Sequence, residues 1–144
     1  DGRLDIETMK ELVYIAFPKK VVLHRAFDYS TDGEEKIEDL IKMGVDRILT
    51  SGKKPKAIEG LDLIKGLQEK YGDRIEIMAG SGVSHENIRK IYEKTKIENF
   101  HLSARDMGQT ETSYDNFGRA FDDYTFTSSG LVEMARLAID DLDK

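Results

Sequence analysis

Apolar runs rich in β-branched residues alternate along this chain with segments whose apolar residues recur every three or four positions, and that alternation limits the fold more than any single motif. From Asp5 to Phe17, residues Ile6, Met9, Val13 and Ala16 keep helical spacing, with Asp5 placed to accept free amides as an N-cap and Pro18 ending the helix. Val21, Val22 and Leu23 open a strand that continues into the polar run His24-Arg25-Ala26-Phe27-Asp28. Asp32 and Glu35 stand at capping-box spacing before Ile37, Leu40 and Ile41, and Gly44 supplies a left-handed stop before a strand at 45–50. Residues 56–71 place Ile58, Leu61, Ile64 and Leu67 at helical steps, and 74–79 read as a third strand. Ser84 is placed to cap a helix through Ile88, Ile91 and Tyr92, and 99–103 read as a fourth strand.

The order αβαβαβαβ with such short strands implies parallel pairing, because each crossover helix returns the chain to the same edge of the sheet. The expected class is α/β. Beyond Arg105 the polar stretch 107–113 reads as a mobile loop, and Gly130 opens a packing helix carrying Leu131, Met134, Ala135, Leu137 and Ala138. Neither a second domain nor a further repeat is visible.

A chain of 144 residues, 39% hydrophobic and 35% charged, suits one soluble globular domain. A formal charge of −6 argues against nucleic acid and anionic membrane as partners. No apolar run approaches the ~20 residues that span a bilayer, and the polar opening has no signal-peptide core, so a cytoplasmic protein is expected. The lack of an initiator Met suggests that residue 1 is not the natural start. With no cysteine in the chain, disulfides, thiolate zinc sites and a cysteine nucleophile are excluded within it, and the softest ligand for Cu(I) is missing.

The strands end in polar or glycine-rich clusters: His24 to Asp28, Thr50-Ser51-Gly52, Gly80-Ser81-Gly82, and His101, Ser103 and Arg105. In parallel α/β folds ligands bind at the carboxyl ends of the strands, where helix N-termini point their amides. Strand alternation sends Val21, Leu23, Phe100 and Leu102 toward the helices, and Val22, His24, His101 and Ser103 to the opposite, inner face. His24 and His101 are therefore candidate metal or acid–base groups, against the plainer reading of hydrogen-bonded core histidines. Gly80, Ser81 and Gly82, with Ser103 and Arg105 near, form a candidate anion site, against simple turn geometry. Asp28 is a candidate general base, or a residue that orients His24 or Arg25, or a salt-bridge residue. The segment Lys53-Lys54-Pro55-Lys56 reads as a solvated loop, and Met9, Met43, Met78 and Met134 as packing residues.

His24-Arg25-Ala26-Phe27-Asp28, Leu49-Thr50-Ser51-Gly52, Ile77-Met78-Ala79-Gly80-Ser81-Gly82-Val83 and Phe100-His101-Leu102-Ser103-Ala104 resemble, in order and spacing, the signature blocks of the copper-homeostasis CutC family. The resemblance implies a TIM-type (β/α) barrel of which this chain supplies the last four strands. A complete barrel has eight strands and usually ~250 residues, so on the order of a hundred N-terminal residues are absent. The resemblance also places the family's proposed copper-ligand cysteines in the absent part, so that copper binding in this chain falls to His24, His101 and Met78.

Three readings follow: copper binding, an enzyme acting on a phosphorylated or carboxylated small molecule with His24 or Asp28 moving the proton, and a non-catalytic scaffold. A half-barrel leaves two sheet edges and one sheet face uncovered. The missing half, or association of two copies into a homo-oligomer, is expected to cover them.

Overall fold

Four parallel strands form the centre of the computed structural model, which describes residues 2–108 and 124–142. They are β1 (Val22–Leu23), β2 (Arg47–Thr50), β3 (Glu76–Gly80) and β4 (Asn99–His101), hydrogen-bonded in chain order. The register aligns Leu23 with Ile48, Ile48 with Ile77, Thr50 with Ala79, and Ala79 with Phe100. These residues share one face. The helix α1 (Ile6–Ala16) precedes β1, the helices α3 (Ile37–Met43), α4 (Leu61–Tyr71) and α5 (Ile88–Thr95) connect the strands, and α6 (Ser129–Asp140) follows them, while the single turn α2 (Ala26–Tyr29) caps the end of β1.

Ile37, Leu40, Ile48, Ile64, Ile88, Ile91 and Ile97 lose all solvent contact between sheet and helices, and Ile77 nearly all. Each such side chain contributes about 1.5–3 kcal/mol of burial free energy, so this layer is what holds the unit together. The opposite face of the sheet carries Val22, Arg47, Leu49, Glu76, Met78, Asn99 and His101, and no helix among the described residues covers it. The unit is therefore a partial (β/α) barrel of TIM type, with its inner face open.

The periodicity reading places the main elements correctly and errs at their ends. Asp5 caps α1 as expected, accepting from Thr8 N at 3.1 Å. Asp32 does not cap α3, because its carboxylate accepts from Leu4 N at 3.0 Å and two turns intervene before Ile37. The strand expected to run through Asp28 stops at Leu23, where Phe27 turns inward on α2 and is fully buried. The helix expected over 56–71 is broken at Gly60, with a short 3-10 turn (Ala57–Glu59) before α4.

Ser84 does not cap α5 with its side chain. Asn87 holds that end instead, accepting from Ser84 N at 3.0 Å and donating to Gly82 O at 2.8 Å. The loop expected at 107–113 is strand at Met107 and Gly108, since β5 (Arg105–Gly108) pairs antiparallel with β6 (Tyr124–Thr127); residues 109–113 lie outside the described residues. On α6 the packed residues are Ala135, Ala138 and Ile139, whereas Met134 and Leu137, expected to pack, are exposed.

Candidate functional site

All four strands point their carboxyl ends to one rim, and the groups singled out in the sequence lie on it. The rim divides into two halves with different chemistry. At β1 and β2, Asp28 is the organising group. Its side chain is only 2% exposed. It accepts from Arg25 Nε at 2.8 Å, Thr50 Oγ1 at 2.5 Å, Ser51 N at 2.9 Å and Lys53 N at 3.1 Å. Burial pushes the carboxyl up, but the hydrogen bonds from Thr50, Arg25 and the backbone of Ser51 and Lys53 outweigh it and hold the group below the usual carboxylate range.

A carboxylate with four distinct donors is an anion already housed. The β2 loop wraps it as a protein would wrap a bound ligand: Thr50 and Ser51 are fully buried and Gly52 N donates back to Thr50 Oγ1 at 2.9 Å. Gly52 itself has φ +69°, and any side chain there would collide with the backbone of Gly60. Arg25 is held in turn, because its Nη2 donates to Ser51 Oγ at 2.9 Å and its guanidinium lies 5.8 Å from the centre of the Tyr29 ring.

His24 is exposed at the end of β1, and Ala26 N donates to its Nδ1 at 3.0 Å. That bond leaves Nε2 carrying the proton in the neutral ring, so His24 presents a donor to the solvent side. It makes no bond to Asp28, whose acceptors are taken by the partners named above.

At β3 and β4 the groups are looser. Gly80 lies beside His101 in the register, and a side chain on Gly80 would meet Leu49 Cδ1 at 2.6 Å. Ser81 adopts φ 79° and donates from its hydroxyl to Pro55 O at 2.7 Å. Gly82, Ser103 and Arg105 come together around a cavity of about 330 Å³, with His85, Ala104 and Leu131 of α6 in its wall; Gly80 and Ser81 do not line it.

His101 is exposed on the open face, and Met78 lies diagonally across from it, since Gly80 pairs with His101 and Met78 with Asn99. His24 stands on the other edge strand, three strand spacings or ~14 Å away along the sheet. Among the described residues no group of three or more His, Asp or Glu side chains is placed to hold a metal ion. The far end of the same face is charged: Arg47 donates to Glu76 from Nε at 2.8 Å and Lys20 reaches Glu76 at 3.2 Å. The Arg47 hydrogen bonds lower the Glu76 carboxyl below its ordinary range.

The model of the CutC family matches residues 1–106. The chain belongs to the CutC family. A CutC family protein of Bacteroides fragilis is 40% identical over 116 residues, covering 81% of this chain and 46% of the relative. One from Parabacteroides distasonis is 42% identical over 116 residues, covering 81% of this chain and 48% of the relative. A crystal structure of a protein described as copper homeostasis protein CutC, from Streptococcus agalactiae, superposes with a TM-score of 0.64 at 34% identity, over 69% of this chain and 50% of that one. The chain thus spans about half the length of the CutC proteins it matches.

Two features of the site escaped the sequence. Thr50 and Lys53 were not recognisable as Asp28 partners, because their contacts cross from one strand end to the next. Asn87 closes the loop that holds Gly82, and its position three residues after Ser84 is the only trace of this in the sequence. No helix of the described residues is long and apolar enough to cross a membrane.

Proposed function

We propose that this chain is the C-terminal half of a CutC-type barrel that acts in copper homeostasis in the cytoplasm, and that it binds copper on the open face through His101 and Met78. The observation that carries the reading is the placement of an unbonded imidazole and a thioether as diagonal neighbours on the uncovered face. Imidazole and thioether ligands suit Cu(I), and with no cysteine in the chain they are the soft ligands this half can offer. His24 joins them only after its Nδ1 gives up the Ala26 amide, so its contribution is secondary. The name carried by the Streptococcus agalactiae protein, at 34% identity, supports a copper-related role.

The same reading assigns the covering of the open face to the complementary half of the barrel rather than to a second copy. In a closed barrel one helix covers each seam between strands. Here α1 precedes one edge strand and α6 follows the other, so two copies would bring both helices to the same seam. The test of copper binding is a Cu(I) competition titration of the whole protein. His101→Ala lowers the affinity by at least about tenfold, and His24→Ala has the smaller effect. Equal Cu(I) affinity in wild type and His101→Ala sinks the assignment.

A second reading, an enzyme of small phosphorylated or carboxylated molecules, is favoured by the cavity that gathers Gly82, Ser103 and Arg105. In that case proton transfer falls to His24, whose ring is exposed, because Asp28 is saturated with donors.

A further inference from the structure

The other half of the rim holds a site that neither reading uses. A cavity of about 510 Å³ opens between α2 and the β2 loop, lined by Arg25, Asp28, Tyr29, Lys53, Lys54 and Pro55. Three of these six residues are cationic in a chain of net charge −6. We propose that this cavity binds a phosphoryl group of a small molecule.

Several observations converge on it. Arg25 is held before any ligand arrives, by Asp28 on Nε and Ser51 on Nη2, with the Tyr29 ring centre 5.8 Å from its guanidinium, which leaves Nη1 and its two protons without a partner among the described residues. A guanidinium held this way loses little freedom on binding an oxyanion. Asp28 does not spoil the site although it lines it, because its charge is absorbed by Arg25 and by the Thr50, Ser51 and Lys53 donors. Those same bonds set the course of the loop. Lys53 N reaches Asp28 with Lys53 in the left-handed region, at φ 57°, and Ser51 Oγ ties the Lys54 carbonyl at 2.5 Å. The conformation is unfavourable for a residue with a side chain, and its effect is to bring two successive lysines to the cavity that Arg25 faces.

Of the two, Lys53 is shared, since Glu34 lies 3.0 Å from its ammonium. Lys54 forms no ion pair among the described residues. Counting Arg25, Lys53 and Lys54 against Asp28 and Glu34, the cavity keeps an excess positive charge, carried chiefly by Lys54 and the outer edge of Arg25. The position agrees with the general rule that ligands of such sheets sit beyond the carboxyl ends of the strands. The exposed Tyr29 ring and Pro55 give the cavity a flat apolar wall beside the cations, which fits a phosphate ester better than a bare ion.

The experiment is a titration of the whole protein with inorganic phosphate and with a phenyl phosphate monoester, followed by isothermal calorimetry. The wild type binds both, the ester more tightly. Lys54→Glu, an exposed substitution that breaks no contact of the fold, weakens both by at least about tenfold, while Lys90→Glu, an exposed charge reversal on α5 that lines neither rim cavity, leaves both unchanged. Phosphate binding that survives Lys54→Glu but is lost in Arg105→Ala overturns the proposal and moves the anion to the β3–β4 cavity. Absence of any binding to the wild type overturns it as well. Copper affinity, which depends on other side chains, is measured on the same variants and stays at the wild-type value, so failure here and failure of the copper reading are told apart.

Discussion

At the scale of single residues, Asp28 accepts from Arg25, Thr50, Ser51 and Lys53, and replacing it with Asn leaves those donors facing a neutral amide. The loss of a buried, charge-assisted network is expected to cost about 3 kcal/mol near neutral pH. The sign of the pH dependence follows from the lowered folded-state pKa. Asp28 contributes fully above the ordinary carboxylate value of about 4, and the contribution fades as pH falls through the lower folded value. Urea unfolding of wild type and Asp28→Asn should therefore show a stability gap that is constant from neutral pH down to the carboxylate range and narrows below it. A gap that persists unchanged in acid contradicts the network. His24 and Asp28 were both readable as rim residues in the sequence. Which of them is free to react was not, because the decision rests on the Ala26 amide taking His24 Nδ1 and on donors from three other strand-end residues taking Asp28.

At the scale of elements, the β2 loop is the piece on which both the Asp28 network and the proposed phosphate cavity depend. Gly52 lies against Gly60 backbone to backbone with φ +69°, so Gly52→Ala brings a collision and an unfavourable dihedral together. We expect it to lower stability by roughly 2–4 kcal/mol, read as a fall in the thermal midpoint, and to weaken phosphate binding with it. A midpoint within a degree of wild type would mean that the loop relaxes without cost. Elements of this kind were only partly legible. Helical periodicity located α3, α4 and α5 because each buries a stripe that includes Ile or Leu, and α1 because Ile6, Met9 and Val13 pack, partly buried, against the core. It missed α2, a single turn held by Phe27 and the Asp28 bonds rather than by any repeat. It missed the antiparallel β5–β6 pair too, whose strands leave Met107, Tyr124 and Phe126 exposed, without the buried alternation that marks a strand.

At the scale of the whole molecule, the alternation of elements and the rim clusters were enough to read a partial barrel, since a parallel sheet with crossovers on one face has few other solutions. The uncovered surface has the composition this implies. Leu12, Ile15 and Phe17 at one edge and Val132 and Leu137 at the other are exposed, and they flank the two edge strands where the remaining barrel would close. Val22, Leu49 and Met78 face the same opening beside the Lys20, Arg47 and Glu76 cluster. The functional claim is that copper sits on this face against His101 and Met78, and X-ray absorption at the copper edge of the Cu(I)-loaded whole protein tests it most directly. Imidazole scattering is predicted alongside a sulfur neighbour, with the imidazole signal reduced in His101→Ala. A shell made of sulfur alone, identical in wild type and His101→Ala, would place the metal elsewhere and contradict it.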